Sequence, residues 1–228
     1  MSLDCASCPV RDRAACASLS PDERGKLARL GHHREARRGE TVFAAGEDVD
    51  ACATLISGAL KITHVDSEGV ERILSLVHPA GFVGELFAPV AHHDVVALTD
   101  SRLCVFSKEQ MEHLLAKHPK LTAALFRRAS GDLFESRTLI DLMGRRSAKG
   151  RVAGLILAFA RAASDSPCHP AAAFELPLTR GEMAGLLGLT IETVSRQLSS
   201  LEEDGLIKRE GRRGIRLADL AALQSLIA

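Results

Sequence analysis

Three cysteines near the start of the chain are the residues best suited to chemistry. Cys5, Cys8 and Cys16 form a C-x2-C-x7-C array, in a chain that holds 6 cysteines in all. A single CxxC pair is weak evidence, but three soft thiolates in so short a segment can converge on one metal centre. Thiolate-held zinc and iron–sulfur sites use four ligands, so one more is needed. The array predicts metal binding, with redox chemistry or simple burial as alternatives.

The chain is expected to be a cytoplasmic globular protein. Residues 1–13 carry charges early and lack the apolar core of a secretory signal. The longest apolar or glycine run, Val152 to Ala160, has 9 residues and is too short to span a bilayer. In a reducing cytoplasm the cysteines do not predict a disulfide framework. Trp and Tyr are absent, which argues against a sheet that stacks RNA bases.

A second set of residues, near the C-terminus, is suited to binding DNA. Thr179 and Glu182 have the form of a capping box that begins a helix. Gly188 should end that helix, and Thr190 can cap a second one that runs to about Asp204. Two short helices joined by a glycine-containing turn are typical of the helix-turn-helix.

The second of these helices has an apolar face and a polar face. Val194, Leu198 and Leu201 recur at core spacing, so the opposite, polar face would enter the major groove of DNA. Arginine can fork onto guanine, a carboxylate can accept from cytosine, and a hydroxyl can contact a base or a phosphate. The alternative for Glu192 and Arg196 is an ordinary helix-stabilising ion pair.

Residues 206–217 predict a wing of two short strands around the Arg212–Arg213 pair, with cations where phosphates would lie. The charge distribution agrees, because residues 1–144 hold 17 basic and 20 acidic residues whereas residues 145–228 hold 12 and 9. A polyanion should therefore meet the C-terminal part, although a solvated turn is the alternative. The residues predicted to contact DNA are Thr190, Glu192, Thr193, Ser195, Arg196, Ser199, Arg212 and Arg213.

The elements that position these residues predict an α+β fold. Glycine-punctuated short strands indicate a compact, jelly-roll-like β-roll, and the later segments are helical apart from a loop expected over 164–177. The expected domains are a cysteine-rich arm over 1–30, a β-roll sensor domain over 31–107, a dimerisation helix region over 108–146 and a winged helix-turn-helix over 147–228.

The long helix expected after Pro119 carries two apolar rows. The first row, at heptad spacing, comprises Phe126, Ala129, Leu133, Ser136, Ile140 and Met143. The second comprises Leu121, Leu125, Leu139 and Leu142. One row can pack on the β domain and the other on a second copy, and the first row is the predicted dimer interface. A single buried helix in a monomer is the alternative.

These features resemble the family of cyclic-AMP-receptor and fumarate-nitrate-reduction regulators, the Crp/Fnr family. The order of domains carries the resemblance, together with two motifs. Residues 81–86, GFVGEL, are similar to the glycine-glutamate turn of the family's β-roll, and residues 187–196, LGLTIETVSR, closely resemble the recognition motif of its oxygen-sensing branch. The resemblance implies a homodimeric regulator that binds double-stranded DNA near RNA polymerase.

Departures from the cyclic-nucleotide branch indicate which signal and which DNA site to expect. That branch has an arginine soon after the glycine-glutamate turn, whereas residues 88–94 supply none, so cyclic AMP is not expected as a ligand. It also has an arginine directly before the recognition glutamate, where this chain has Ile191. The resemblance therefore implies two-fold, TTGA-like half-sites.

The oxygen-sensing branch holds its fourth cluster ligand in a stretch that resembles residues 97–106, where this chain has Cys104. The resemblance implies a [4Fe–4S] cluster on Cys5, Cys8, Cys16 and Cys104. Seven residues separate Cys8 from Cys16, as in one branch of the family, where the better-known sensors have five. The family's acidic residue on the dimer helix corresponds to Ser136, so this dimer is expected to persist better without its cluster.

Several alternatives stay open beside the cluster. The same thiolates could hold a structural zinc ion or remain unligated, and the signal could be nitric oxide or another ligand bound by haem or by the β-roll pocket. Cys52 and Cys168 have no CxxC partner and are interpreted as structural, while His32-His33 and His92-His93 are interpreted as solvated surface. Neither a nucleophile elbow nor a P-loop nor HExxH is present, so an enzyme is not expected.

Overall fold

The structure is a computed structural model that describes residues 4–144, 147–164 and 169–227. It has two compact units, which divide between Ser136 and Arg137, inside a long helix. No helix of the described residues is both long and apolar enough to cross a membrane.

The first unit opens with the cysteine-bearing arm, defined here as residues 4–19, followed by a capped helix. A short 3-10 turn, Ala15–Ser18, leads to α1 (Pro21–Leu30). The Ser20 hydroxyl accepts from the Glu23 N–H at 3.3 Å, and the Glu23 carboxylate accepts from the Ser20 N–H at 2.8 Å. This capping box fixes the start of α1 at Pro21.

The described residues 31–107 form eight strands in two antiparallel sheets. The strands are β1 (His32–Ala36), β2 (Thr41–Phe43), β3 (Ala51–Ser57), β4 (Leu60–Val65), β5 (Glu71–Val77), β6 (Phe82–Val83), β7 (Asp94–Ala97) and β8 (Ser101–Ser107). Their orders are β1-β8-β3-β6 and β2-β7-β4-β5. Side chains that alternate inward along both sheets, such as Leu55, Leu60 and Leu103, build one apolar core. The β-roll prediction is confirmed.

Two helices follow the sheets, α2 (Lys108–Lys117) and α3 (Pro119–Gly144). Along α3 the two predicted apolar rows differ in exposure. Leu121 and Leu142 of the second row are buried, at 2% and 5% exposure, whereas Phe126 and Ile140 of the first row are 74% and 65% exposed. The first row is thus the more exposed of the two, and Ser136 within it donates its hydroxyl to the Asp132 carbonyl at 2.9 Å.

The second unit contains the helix-turn-helix and its wing. Its elements are α4 (Ala148–Ala162), β9 (Ala173–Glu175), α5 (Arg180–Leu187), α6 (Ile191–Glu203), β10 (Ile207–Glu210), β11 (Gly214–Leu217) and α7 (Leu220–Ser225). Apolar residues of α4, α5 and α6 form its core. Among them, Ile156, Leu187 and Leu201 are fully buried. The predicted order of helix, helix-turn-helix and wing is confirmed.

The loop predicted over 164–177 was partly wrong, because it contains β9. This strand pairs with β11, Phe174 opposite Ile215, and extends the wing to three strands in the order β10-β11-β9. The strand has only three residues and lies between two prolines, so the local sequence pattern indicates a loop there. The predicted domain limits at 107/108 and 146/147 stay predictions; β8 does end at Ser107, and α4 begins at Ala148.

Candidate metal centre and nucleic-acid interface

The four predicted cysteine ligands line one cavity of the first unit. Cys5, Cys8 and Cys16 come from the arm, and Cys104 comes from β8. All four are partly buried and none is in a disulfide. Residues far apart in sequence are thus brought to one place with four soft sulfur donors.

The arm reaches this position because two of its apolar residues are buried. Val10 and Ala14, at 2% and 4% exposure, pack in a cluster with Ile56 and Ala80 of the β-roll. The Ala14 N–H donates to the Val10 carbonyl at 2.8 Å, so this turn is hydrogen-bonded as well as packed. The arm is therefore held against the β-roll by hydrophobic burial.

Cys104 reaches the cavity from β8, an inner strand of its sheet. In β8 it lies opposite His33 of β1 and Thr54 of β3. Burial raises the pKa of Cys104, and the negative charges of the neighbouring Cys5, Cys16 and Cys8 thiolates raise it further. Coordination to a metal has the opposite effect, because a coordinating thiol is deprotonated outright.

The side chains around the cavity fit a negatively charged, sulfur-ligated group. Arg24 lines the cavity, and its Nε is buried without a hydrogen-bond partner among the described residues. Burial raises the pKa of Cys5 and of Cys16, and the positive charge of Arg24 partly offsets that rise. Within the described ranges, no three His, Cys, Asp or Glu side chains are close enough to hold a single metal ion. A cubane places its four thiolates on four different irons, so its ligands lie farther apart than ligands around one ion.

The other cysteines differ from these four. Cys52 is fully buried on β3, in an apolar cluster that Cys5, Cys16 and Cys104 also contact, but it does not line the cavity. Burial raises its pKa to about 12. Its backbone is pressed against Gly84, where a Cβ would lie 2.8 Å from the Cys52 Cα. Gly84 has φ +118°, so this position in the glycine-glutamate turn requires glycine. Cys168 lies outside the described residues.

The histidine pairs occupy two different settings. His92 and His93 both contact Glu85, the backbone N–H of His92 donating to its carboxylate at 3.0 Å, and both rings remain solvent-accessible as predicted. His33, although exposed, lines the cysteine cavity, which the sequence did not indicate. Its position opposite Cys104 in the sheet explains why.

The β-roll holds a second cavity of about 810 Å³ that is rich in carboxylates. Glu47, Asp48, Asp50 and Glu85 line it. The guanidinium of Arg34, which also lines it, donates to the Val42 carbonyl at 2.9 Å and contacts Glu40 at 3.3 Å. Such a lining disfavours an anionic ligand.

The recognition helix has the two faces that its sequence predicts. Val194, Leu198 and Leu201 are buried, while Glu192 and Arg196 are exposed on the opposite side. Thr190 caps the helix by accepting from the Thr193 N–H at 3.2 Å. Ser195 and Ser199 are partly exposed on the polar side.

Glu192 bonds at the start of α6 rather than to Arg196. The pKa of Glu192 is lowered by its own backbone N–H and by the Thr190 hydroxyl. The described residues contain no ion pair between Glu192 and Arg196, so the guanidinium of Arg196 has no carboxylate partner. The ordinary helix-stabilising pair is therefore not formed, and Arg196 is exposed as a free donor.

Only some of the basic residues of the wing are free of ion pairs and could bind a polyanion. Arg209 is bound by Glu202, Nε to Oε2 at 2.6 Å, and Arg216 is bound by Glu210 at 2.7 Å. Among the described residues no such pair is formed by the remaining three cations, Lys208, Arg212 and Arg213. Counting basic residues in the sequence missed this neutralisation, because both glutamates could equally have faced solvent.

Comparison with known proteins decides the family. The model of the Crp-like helix-turn-helix domain matches residues 150–226, and that of the cyclic nucleotide-binding domain matches residues 33–118. The transcriptional activator protein FnrL of Cereibacter sphaeroides is 35% identical over 222 residues, which are 96% of this chain and 90% of that protein. The chain belongs to the Crp/Fnr family.

Other members agree with this assignment. The fumarate and nitrate reduction regulatory protein of Escherichia coli is 26% identical over 92% of this chain and 85% of its own length. The solved structure of FixK2 from Bradyrhizobium japonicum superposes with a TM-score of 0.79 at 25% identity, covering 87% of this chain and 98% of that one. This Crp/Fnr protein is a transcriptional regulator with a DNA-binding helix-turn-helix, not an enzyme.

Proposed function

We propose that this Crp/Fnr regulator senses oxygen through a [4Fe–4S] cluster held by Cys5, Cys8, Cys16 and Cys104. The observation that carries the proposal is that three arm cysteines and one sheet cysteine line the same cavity. The names of its relatives, FnrL and the fumarate and nitrate reduction regulatory protein, support the same branch. When bound, such a cluster supplies reactivity toward oxygen.

The chain's own residues connect this cavity to the dimer helix. Cys5, Cys16 and Cys104 pack against one apolar cluster that includes Leu121 and, at its margin, Leu125. Both leucines stand at the start of α3, and both also line the cysteine cavity. Ligation that holds the three arm thiolates to Cys104 would therefore stabilise the packing of the arm against the start of α3. Release of the arm would weaken that packing.

In the active form we expect a homodimer that joins through the exposed row of α3. The two recognition helices would then read TTGA-like half-sites about one helical turn apart. Ser136 adds no charge to this row, so the dimer is expected to persist better without the cluster than a dimer with an acidic residue there.

DNA contact is assigned to α6 and to the wing. Arg196 reads a base edge, with Glu192 and Ser195 beside it, while Arg212 and Arg213 contact phosphates. We also propose that the bound dimer contacts RNA polymerase as an activator, in line with the name of its relative, the transcriptional activator protein FnrL. Cyclic AMP is not proposed as a ligand, because the β-roll cavity is lined by carboxylates.

Anaerobic purification tests the sensor directly. We expect a coloured protein that contains iron and acid-labile sulfide in equal amounts, loses its visible absorption in air, and binds target DNA more weakly afterwards. A colourless protein that contains zinc would contradict the cluster, and a sharp haem band would favour the alternative sensor.

Substituting the sheet cysteines separately tests which of them is a ligand. Cys104→Ser should lose most of the iron and sulfide after anaerobic reconstitution, because a hydroxyl is a poorer ligand for iron–sulfur clusters than a thiolate. Cys52→Ser is the matched control, since Cys52 lies on the neighbouring strand and does not line the cysteine cavity. Retention of the full cluster by Cys104→Ser would show that the fourth ligand is another residue.

A further inference from the structure

We propose that Arg24 is a positioning residue of the cysteine cavity, which supplies a positive charge and an N–H donor to the sulfur atoms of the group bound there. This inference rests on the proposed function, because it assumes that the four cysteines ligate an iron–sulfur cluster. It assigns to the chain a residue outside the ligand set that determines how long the bound group survives in air.

The position of Arg24 follows from the start of α1. Ser20 caps that helix and Pro21 begins it, so Arg24 lies at the end of its first turn. One terminal nitrogen of the guanidinium donates to the Leu19 carbonyl at 3.1 Å. Leu19 is itself buried, and it directly follows the 3-10 turn that carries Cys16. The guanidinium is therefore held beside the cysteines rather than free to extend into water.

A second nitrogen of the same group has nothing to bind. Arg24 Nε is buried and has no acceptor among the described residues. Buried donors without a partner are rare in folded proteins, and each needs an explanation such as an absent ion or ligand. Since Arg24 lines the cysteine cavity, the missing acceptor belongs to whatever occupies that cavity.

The charge balance of the cavity requires a cation of this kind. Four thiolates carry more negative charge than the two positive charges of an oxidised cubane core, so the ligated group is an anion. Asp4 also lines the cavity and is itself engaged by the Ser7 hydroxyl at 2.6 Å. Positive charge beside a cluster and hydrogen bonds to its sulfurs are established ways in which proteins tune such centres.

Arg11 provides a matched control at the same cavity. It lines the same cavity, but it donates to the Ala6 carbonyl at 2.8 Å and pairs with Asp12 at 3.4 Å, and its side chain is 46% exposed. Its charge is screened by water and shared with a carboxylate. Replacing either arginine removes one positive charge, from an exposed ion pair at Arg11 and from a buried guanidinium at Arg24.

The experiment compares Arg24→Gln, Arg24→Lys and Arg11→Gln with the wild-type chain after anaerobic reconstitution. The readouts are iron and sulfide content and the half-life of the visible absorption in air, neither of which requires DNA binding. We expect Arg24→Gln to shorten the half-life about 10-fold, the lower end of the roughly 10–100-fold losses of metal affinity or activity that follow removal of an outer-shell partner. Arg11→Gln should match the wild type. Arg24→Lys should lie between them, because lysine keeps the charge but can replace only one of the two donors.

The outcomes separate this inference from the proposed function. Failure of the wild-type chain itself to take up iron and sulfide would refute the proposed function. Normal uptake by the wild type together with an unchanged half-life in Arg24→Gln would overturn the role of Arg24. Equal lifetimes for Arg24→Lys and the wild type would also overturn it, because the Nε donor would then be unnecessary. Thermal unfolding of the cluster-free variants, expected to be unchanged for Arg24→Lys, controls for damage to the arm.

Discussion

At the scale of residues, the same amino acid has different chemistry in different settings. Cys104 and Cys52 lie on adjacent strands, yet Cys104 lines a cavity with three other thiols while Cys52 is sealed in the apolar core. Reactivity and metal binding need an accessible thiolate, so only the first setting allows them. The arginines differ in the same way, since Arg209 is bound to Glu202 and Arg196 is exposed.

Arg196 is expected to carry base specificity. Arg196→Ala should weaken binding to the target site by about 1–3 kcal/mol and relax the preference at one base pair of each half-site, because a forked contact to a guanine is lost. Binding to the target and to singly substituted sites, measured by fluorescence anisotropy at constant salt, checks this. An equal loss of affinity on target and random DNA would instead mean that Arg196 contacts only phosphate.

At the scale of elements, α3 has one buried and one exposed apolar row, and we expect the exposed row to meet a partner. Leu121 and Leu142 are buried by their own chain, whereas Phe126, Leu133 and Ile140 leave apolar surface exposed along the heptad row. An exposed apolar stripe of this length is unusual on a monomer and marks an interaction surface. The helices α1, α2, α5 and α6 are each capped locally: the side chain of the N-cap residue accepts a hydrogen bond from a backbone N–H of the first turn.

A charge placed in this row should weaken the dimer. Ile140→Glu should raise the dimer dissociation constant at least about 10-fold, because a buried, unpaired carboxylate costs more than 1.4 kcal/mol. Thr138→Glu adds the same charge about 200° around the helix and serves as the control. Sedimentation equilibrium of the reconstituted protein measures both. Equal dimerisation of the two variants would place the interface elsewhere.

At the scale of the whole molecule, zero net charge covers an uneven distribution. The excess of basic residues lies in the part that carries the helix-turn-helix, and ion pairs neutralise some of it there. The cations left for phosphate are fewer than the sequence count, which limits nonspecific binding. Affinity for DNA should therefore depend on a small number of phosphate contacts that can be counted.

The salt dependence of DNA binding counts those contacts. Removing Arg212 and Arg213 together should reduce the slope of log affinity against log salt by about two for each protomer, since each phosphate contact contributes about one. Arg216→Ala should change the slope less, because Arg216 is bound to Glu210. An unchanged slope in the double variant would remove the wing from the DNA interface.

Much of this architecture could be predicted from the sequence, because the interactions involved are local. The capping box at Thr179, the αL glycine at 188 and the apolar spacing of α6 all act within a few residues. The same spacing distinguished the two rows of α3. Strand β9 escaped prediction because Phe174 is stabilised by pairing with Ile215, a partner outside its own segment.

The candidate site depended on contacts between distant parts of the chain. A cysteine array in the arm predicts a metal, but it does not say where the arm lies; burial of Val10 and Ala14 against the β-roll brings those thiols to Cys104. The unpaired Nε of Arg24 and the neutralised arginines of the wing likewise arise only after folding. Spacing encodes which elements form, whereas burial and charge pairing between elements decide which side chains remain available for chemistry.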